Sequence, residues 1–235
     1  LVSAWVLREQ RPIVSGILIG LLTMKPHLGL LLPIVLLIER RYAVVLSAAA
    51  TTLVLVLATS LIFGWTVFPD YIVYVGPTQL HVLTTYDRLD WIMPTPMMMA
   101  RTLGLPIDYG WFFVAAAAPA ALIAFFYVMS RHAHDASKLA MTVVATILIL
   151  PYAFTYDTTL FVIPLVLLMD RMEKPWQMMV LLGAYMLPAL GLATTVSGIP
   201  LATASLVAFA LLLVYEARQP DQRDEAVARS EFRAP

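Results

Sequence analysis

The chain has 235 residues, 61% of them hydrophobic and only 13% charged, with zero formal net charge and a mean hydropathy of +0.84. Soluble domains are about 45–50% apolar and about 25% charged, so a water-exposed fold of this length could not hide so much apolar surface, and lipid is the expected solvent. The neutral balance offers no basic field to nucleic acid, and the lack of cysteine excludes disulfides, thiolate metal sites and a cysteine nucleophile.

The chain starts at Leu1 without an initiator methionine, and it reads as the carboxy-terminal part of a longer protein. Arg8 and Arg11 precede an interrupted apolar segment. Residues 13–24 are apolar, Lys25-Pro26-His27 follows, and residues 28–38 are apolar again. Each half is about 16–18 Å of helix, too short to cross a bilayer that needs about 20 residues. Arg40 and Arg41 come next, then residues 43–63, an uninterrupted apolar run that predicts a spanning helix.

Residues 64–108 form a long outer loop. The loop and its borders carry Trp65, Tyr71, Tyr74, Tyr86, Trp91 and Trp111 between leucines, valines and methionines, the content of a segment lying at a membrane surface. Residues 109–129 predict a second span, kinked at Pro119. A second interrupted segment follows Arg131 and Lys138: residues 139–150 are apolar, Pro151 to Asp157 break the run, and residues 158–169 are apolar again, before Arg171 and Lys174. Residues 177–194 and 199–215 predict a last pair of spans.

None of these runs shows the period-2 alternation of a barrel strand. The expected fold class is therefore all-α, a polytopic integral membrane helical bundle with broken or short helices. Residues 1–215 form its transmembrane domain, and residues 216–235 form a charged tail expected to be disordered and cytoplasmic. If both interrupted segments enter and return as hairpins, every basic cluster falls on one side, as the positive-inside rule asks. A single kinked crossing would strand one cluster on the far side, so the hairpin is preferred.

Ionisable groups within apolar stretches are expensive and mark candidate sites. Lys25, beside a proline that bends the chain, suits the phosphate of a lipid head group; it could instead mark a turn and snorkel to water. His27 could donate to the same anion or simply pack. Asp157 could accept a sugar hydroxyl, hold a cation, pair with Lys25 or cap the half-helix after it. Tyr152 and Tyr156 offer faces and hydroxyls for a sugar, or interface anchors. Asp70, Asp87, Asp90 and Asp108 read as solvated loop carboxylates, His132 and His134 as a solvated turn, and Met97 to Met99 as packing rather than a metal box. No metal site, Walker loop or dinucleotide fingerprint occurs.

Arg11-Pro12-Ile13-Val14-Ser15-Gly16, Leu21-Leu22-Thr23-Met24-Lys25-Pro26-His27-Leu28-Gly29-Leu30-Leu31 and Glu39-Arg40-Arg41-Tyr42 resemble the lysine-proline-glutamine region of glycosyltransferase family 87, bacterial multi-pass enzymes of the GT-C superfamily. Leu150-Pro151-Tyr152-Ala153-Phe154-Thr155-Tyr156-Asp157, with Pro164 after it and Phe63-Gly64 before the outer loop, resembles the family's second landmark. Two positions depart from the pattern: His27 stands where glutamine is usual, and Tyr156-Asp157 where the mannosyltransferase branch carries paired histidines.

The resemblance implies a GT-C-like hexosyltransferase in the bacterial plasma (inner) membrane. It would move a hexose, mannose being one candidate, from a polyprenyl-phosphate sugar to a lipid-linked or cell-envelope acceptor, with its active face extracytoplasmic. The expected partners are membrane lipid, the lipid-linked donor and a glycan or lipid acceptor, and no cofactor beyond the donor is implied. Lys25 and His27 would bind the donor phosphate, and Tyr152, Tyr156 and Asp157 the substrate. The acidic catalytic base would precede Leu1. The alternatives from the residues alone are a transporter or lipid flippase subunit, which also builds sites from broken helices, and a structural assembly subunit.

Overall fold

A computed structural model describes residues 1–85, 92–131 and 133–219. Tyr86, Asp87, Arg88, Asp90, Trp91, His132 and the tail beyond residue 219 lie outside the described residues. Among those described, the chain is helical with no strand. The helices are α1 (Val2–Leu7), α2 (Pro12–Leu21), α3 (Leu32–Ile38), α4 (Tyr42–Phe63), α5 (Val67–Asp70), α6 (Gly76–Thr85), α7 (Met99–Thr102), α8 (Gly110–Ser130), α9 (Asp135–Ile149), α10 (Val162–Met169), α11 (Pro175–Tyr185), α12 (Leu187–Ser197) and α13 (Leu201–Glu216). By length and composition, α4 and the stretch Ile107–Ser130 can each cross a membrane, and the bent pair α11–α12 makes a third crossing if it is one span.

Prolines punctuate the chain by one local rule. The residue before a proline is pushed out of the helical region, and the proline then starts a new turn with its missing N–H at no cost. Lys25 (φ −131°, ψ 75°) precedes Pro26, Leu150 (φ −77°, ψ 137°) precedes Pro151, and Lys174 (φ −105°, ψ 137°) precedes Pro175. The first break is two short 3₁₀ turns, Leu22–Met24 and Pro26–Gly29, and the second is extended chain followed by the 3₁₀ turn Thr155–Phe161.

Both interrupted segments are hairpins: the ends of the first meet, and in the second α10 packs back against α9. Arg8 Nε donates to Glu39 at 2.9 Å and Arg8 Nη2 to Asp135 at 2.8 Å, while Arg41 pairs with Glu9. One buried guanidinium, stacked 4.3 Å from the Trp5 ring centre, thus joins both arms of the first hairpin to the start of the second. Arg131 donates to Tyr127, Arg218 lies over the same ring, and Lys174 donates to Tyr215 at 2.7 Å, so these basic groups share one end of the bundle. At the other end the two breaks meet. There Thr95 donates to the Pro151 carbonyl at 3.1 Å, and Thr203, near the start of α13, donates to the Thr95 carbonyl at 3.3 Å.

Burial divides the helices into layers. α9 is enclosed almost all round, with every residue from Leu139 to Leu148 buried, and it carries the main core with Phe125, Phe161 and Phe209. α4 buries only Val44 and Ser60 and presents the rest of its apolar surface outward, as a lipid-facing span does. It touches the bundle mainly through α2. A Cβ on Gly16 would lie 1.6 Å from Ser47 Oγ, and one on Gly20 would lie 2.5 Å from Thr51 Cβ. This is a small-residue face that lets two backbones approach where no hydrophobic drive exists between helices in lipid.

Three expectations need correction. The stretch 177–194 is not one straight span: α11 and α12 meet at 81°, because Pro188 cannot donate back to Ala184 and the helix yields there. The outer loop 64–108 is largely helical in its described part, with α5, a π-helical turn Tyr71–Val75 and α6 in succession. α9 begins at Asp135, four residues before its apolar run, with the ring of His134 accepting from the Ala136 N–H at 3.2 Å. Its arm is therefore about 22 Å long, and the second break sits near the far end of the bundle rather than halfway.

Candidate functional site

The two breaks place the ionisable and aromatic groups of both in one cluster. Lys25 Nζ donates to Asp157 Oδ1 at 2.7 Å and sits 4.2 Å from the centre of the Tyr156 ring. Tyr156 stacks in parallel on Phe154, at 5.1 Å between centroids and 8° between planes. Beside them the His27 and Tyr152 rings are 5.1 Å apart and tilted by 50°. Tyr71, on the outer segment, is within electrostatic reach of Tyr152.

The ion pair is asymmetric. The Lys25 side chain is 47% exposed and the Asp157 side chain 2%. Asp157 is held from two sides, since its Oδ2 accepts from the Phe154 N–H at 3.0 Å while Oδ1 takes the lysine. It reaches back from the first turn of the 3₁₀ segment to cap the segment's start, so capping and pairing with Lys25 occur together. An ammonium has three donors. One is spent on Asp157 and another points at a ring, which leaves the exposed side open to a ligand anion.

Lys25 also borders a groove of about 310 Å³ lined by Leu1, Leu21, Leu22, Leu28, Leu32 and Leu160. A second, about 410 Å³, lies on the other side of the same hairpin, between Leu30, Leu36 and the Ala48–Ala49 face of α4. The first joins a fixed cation to an apolar channel, which suits a ligand with a charged head and a hydrocarbon tail.

The remaining candidates lie elsewhere. Asp70 and Asp108 are exposed on turns of the outer segment. Met97 and Met98 are buried, with Gly110 packed on Met97, so this run is core. Among the described residues no three His, Asp or Glu side chains converge as a metal site. The Gly16/Gly20 face went unread in the sequence, although its G-x-x-x-G spacing is visible there. Thr95, which fastens the second break, carries no local signal, because its partners are 56 and 108 residues away.

Compared with known proteins, the chain matches the family model described as Glycosyltransferase family 87 over residues 1–151. That match takes in the whole first break and ends at Pro151; the rest of the second break is joined to it by the Lys25–Asp157 pair. No curated protein and no solved structure matches this chain.

Proposed function

Because this chain belongs to glycosyltransferase family 87 and is a multi-pass membrane glycosyltransferase, we propose that Lys25 seats the phosphate of a polyprenyl-phosphate sugar, from which a hexose passes to a lipid-linked or cell-envelope acceptor. One observation carries this reading: a half-exposed ammonium stands at the mouth of an apolar groove. A nucleotide sugar would need a large polar cradle, whereas a lipid phosphate needs one cation and a greasy slot.

In transfer, the bond between the anomeric carbon and the phosphate oxygen breaks and its electron pair stays on the phosphate. The acceptor oxygen bonds to that carbon and gives its proton to a base. Positive charge grows on the sugar ring and negative charge on the leaving phosphate, and a preplaced ammonium stabilises the latter. His27 is the second phosphate contact. Tyr152 offers its ring to the sugar, while Tyr156, engaged by Lys25 and Phe154, offers its hydroxyl and edge. Asp157 stands behind Lys25, at the inner wall of the substrate site. We assign the base to none of Asp70, Asp108 and Asp157.

Charge supports a reading of sidedness. Arg8, Arg41, Arg131, Lys174 and Arg218 gather at the end opposite Lys25. Under the positive-inside rule this supports a cytoplasmic placement of that end and, in the bacterial inner membrane that we propose for this chain, an extracytoplasmic placement of the cluster. The test is Lys25→Ala in the intact membrane protein, assayed for sugar transfer from a polyprenyl-phosphate hexose. The expected loss is about 10²–10³-fold in kcat, the usual effect of removing one preorganised charge donor. Undiminished turnover would remove Lys25 from the mechanism.

A further inference from the structure

Transfer converts a phosphodiester donor into a lipid phosphate monoester, and the two differ in charge. The diester carries one negative charge, and the monoester between one and two near neutral pH. A bare lysine at the groove mouth would hold the more charged product more tightly than the substrate, and so would oppose its own turnover. Lys25 is not bare. Asp157 lies 2.7 Å behind its ammonium, is almost fully buried, and is tied to the backbone by the Phe154 N–H, so it cannot swing away when an anion arrives.

We infer that Asp157 sets the discrimination between lipid-linked donor and lipid phosphate product: its fixed carboxylate, one hydrogen bond behind Lys25, repels each unit of phosphate charge and so penalises the monoester more than the diester. The inference rests on Lys25 being the phosphate seat. A phosphate touching the exposed side of Nζ lies within about 6 Å of the carboxylate, where repulsion between unit charges is still large in a partly desolvated site. Both the repulsion by Asp157 and the attraction of Lys25 scale with ligand charge, so the carboxylate offsets part of the preference that a bare lysine would have for the monoester. Asp157 is thus a positioning residue that holds Lys25 in place and a counter-charge that lets the product leave.

The experiment measures binding of two probes to the intact protein in lipid nanodiscs: farnesyl phosphate and its methyl diester. Asp157→Asn keeps an oxygen for the Phe154 N–H and removes the charge. It should tighten the monoester by roughly twenty- to fiftyfold and the diester by roughly sevenfold, one factor per unit charge for a monoester carrying about 1.5 to 2 charges. Asp157→Glu, which restores the charge, should return the ratio towards the parent's. A structural role alone would weaken both probes together, and an unmoved ratio or a shared loss overturns the inference. Lys25→Gln separates it from the reading beneath: if that variant binds both probes as the parent does, the phosphate seat itself is wrong. If it loses both while Asp157→Asn leaves the ratio alone, only the discrimination fails. Asp157→Ser is the second variant should Asn not assemble, and failure of both to assemble makes the carboxylate a folding residue and overturns the proposal.

Discussion

The first and second breaks begin with the same device, an extended residue ahead of a proline, and are finished differently. Around Pro151 the chain is propped by neighbours: Thr95 donates to the Pro151 carbonyl, Asp157 accepts from Phe154, and Ala153, Asp157 and Phe161 are buried. Around Pro26 the chain is open: Met24, Lys25 and Pro26 are exposed, and grooves run along both sides of the hairpin. The difference separates two tasks that one sequence pattern would have merged. The propped break supplies a fixed counter-charge, and the open break supplies the cation that a ligand can reach.

That contrast can be broken at three places beyond Lys25 and Asp157. The largest effect is expected from Gly16→Val, which drives a side chain into Ser47 and the Val44 carbonyl and pushes α2 off α4. Overpacking of this kind costs about 1–3 kcal/mol. Thermal unfolding in detergent should shift down by several degrees, with the first hairpin more open to proteolysis than the second; equal sensitivity of both would mean that they are not separately supported. Next is Thr95→Val, which keeps shape and removes the hydrogen bond to Pro151, at about 1 kcal/mol. A propped break predicts a lower kcat with KM little changed, and a change in KM alone would count against the prop. The smallest is Tyr156→Leu, which removes an exposed cation–π contact worth about 0.5–1 kcal/mol. It should raise KM for the donor by a few-fold, and an unchanged KM would show that Asp157 holds Lys25 unaided.

Much of the frame is legible because lipid imposes simple rules. The run 43–63 predicts α4 to within one residue, and both breaks are announced by prolines set between two apolar runs. Positive charge at the segment ends foretells the hairpins, which the Arg8 contacts then close. Less legible are features decided at long range. The start of α9 looks polar, Asp135-Ala136-Ser137-Lys138, and becomes helix because His134 caps it and the core covers it. The 81° bend at Met186 follows from Pro188, yet composition alone reads the stretch as one span. The meeting of Lys25 with Asp157, 132 residues apart, is readable as one option among several, and the groove that gives it meaning is a property of packed surfaces.

Arg8 has a consequence for biosynthesis. It is buried, and its two carboxylate partners are made at very different times: Glu39 emerges 31 residues later and Asp135 only after 127. As the nascent chain leaves the ribosome, the first pair of arms can form early with half of its cation's shell in place. The second anchor arrives when most of the crossings already exist. Joining of the two pairs is therefore a late, non-local event in membrane insertion, and the Lys25–Asp157 contact at the opposite end, between residues 132 positions apart, comes later still.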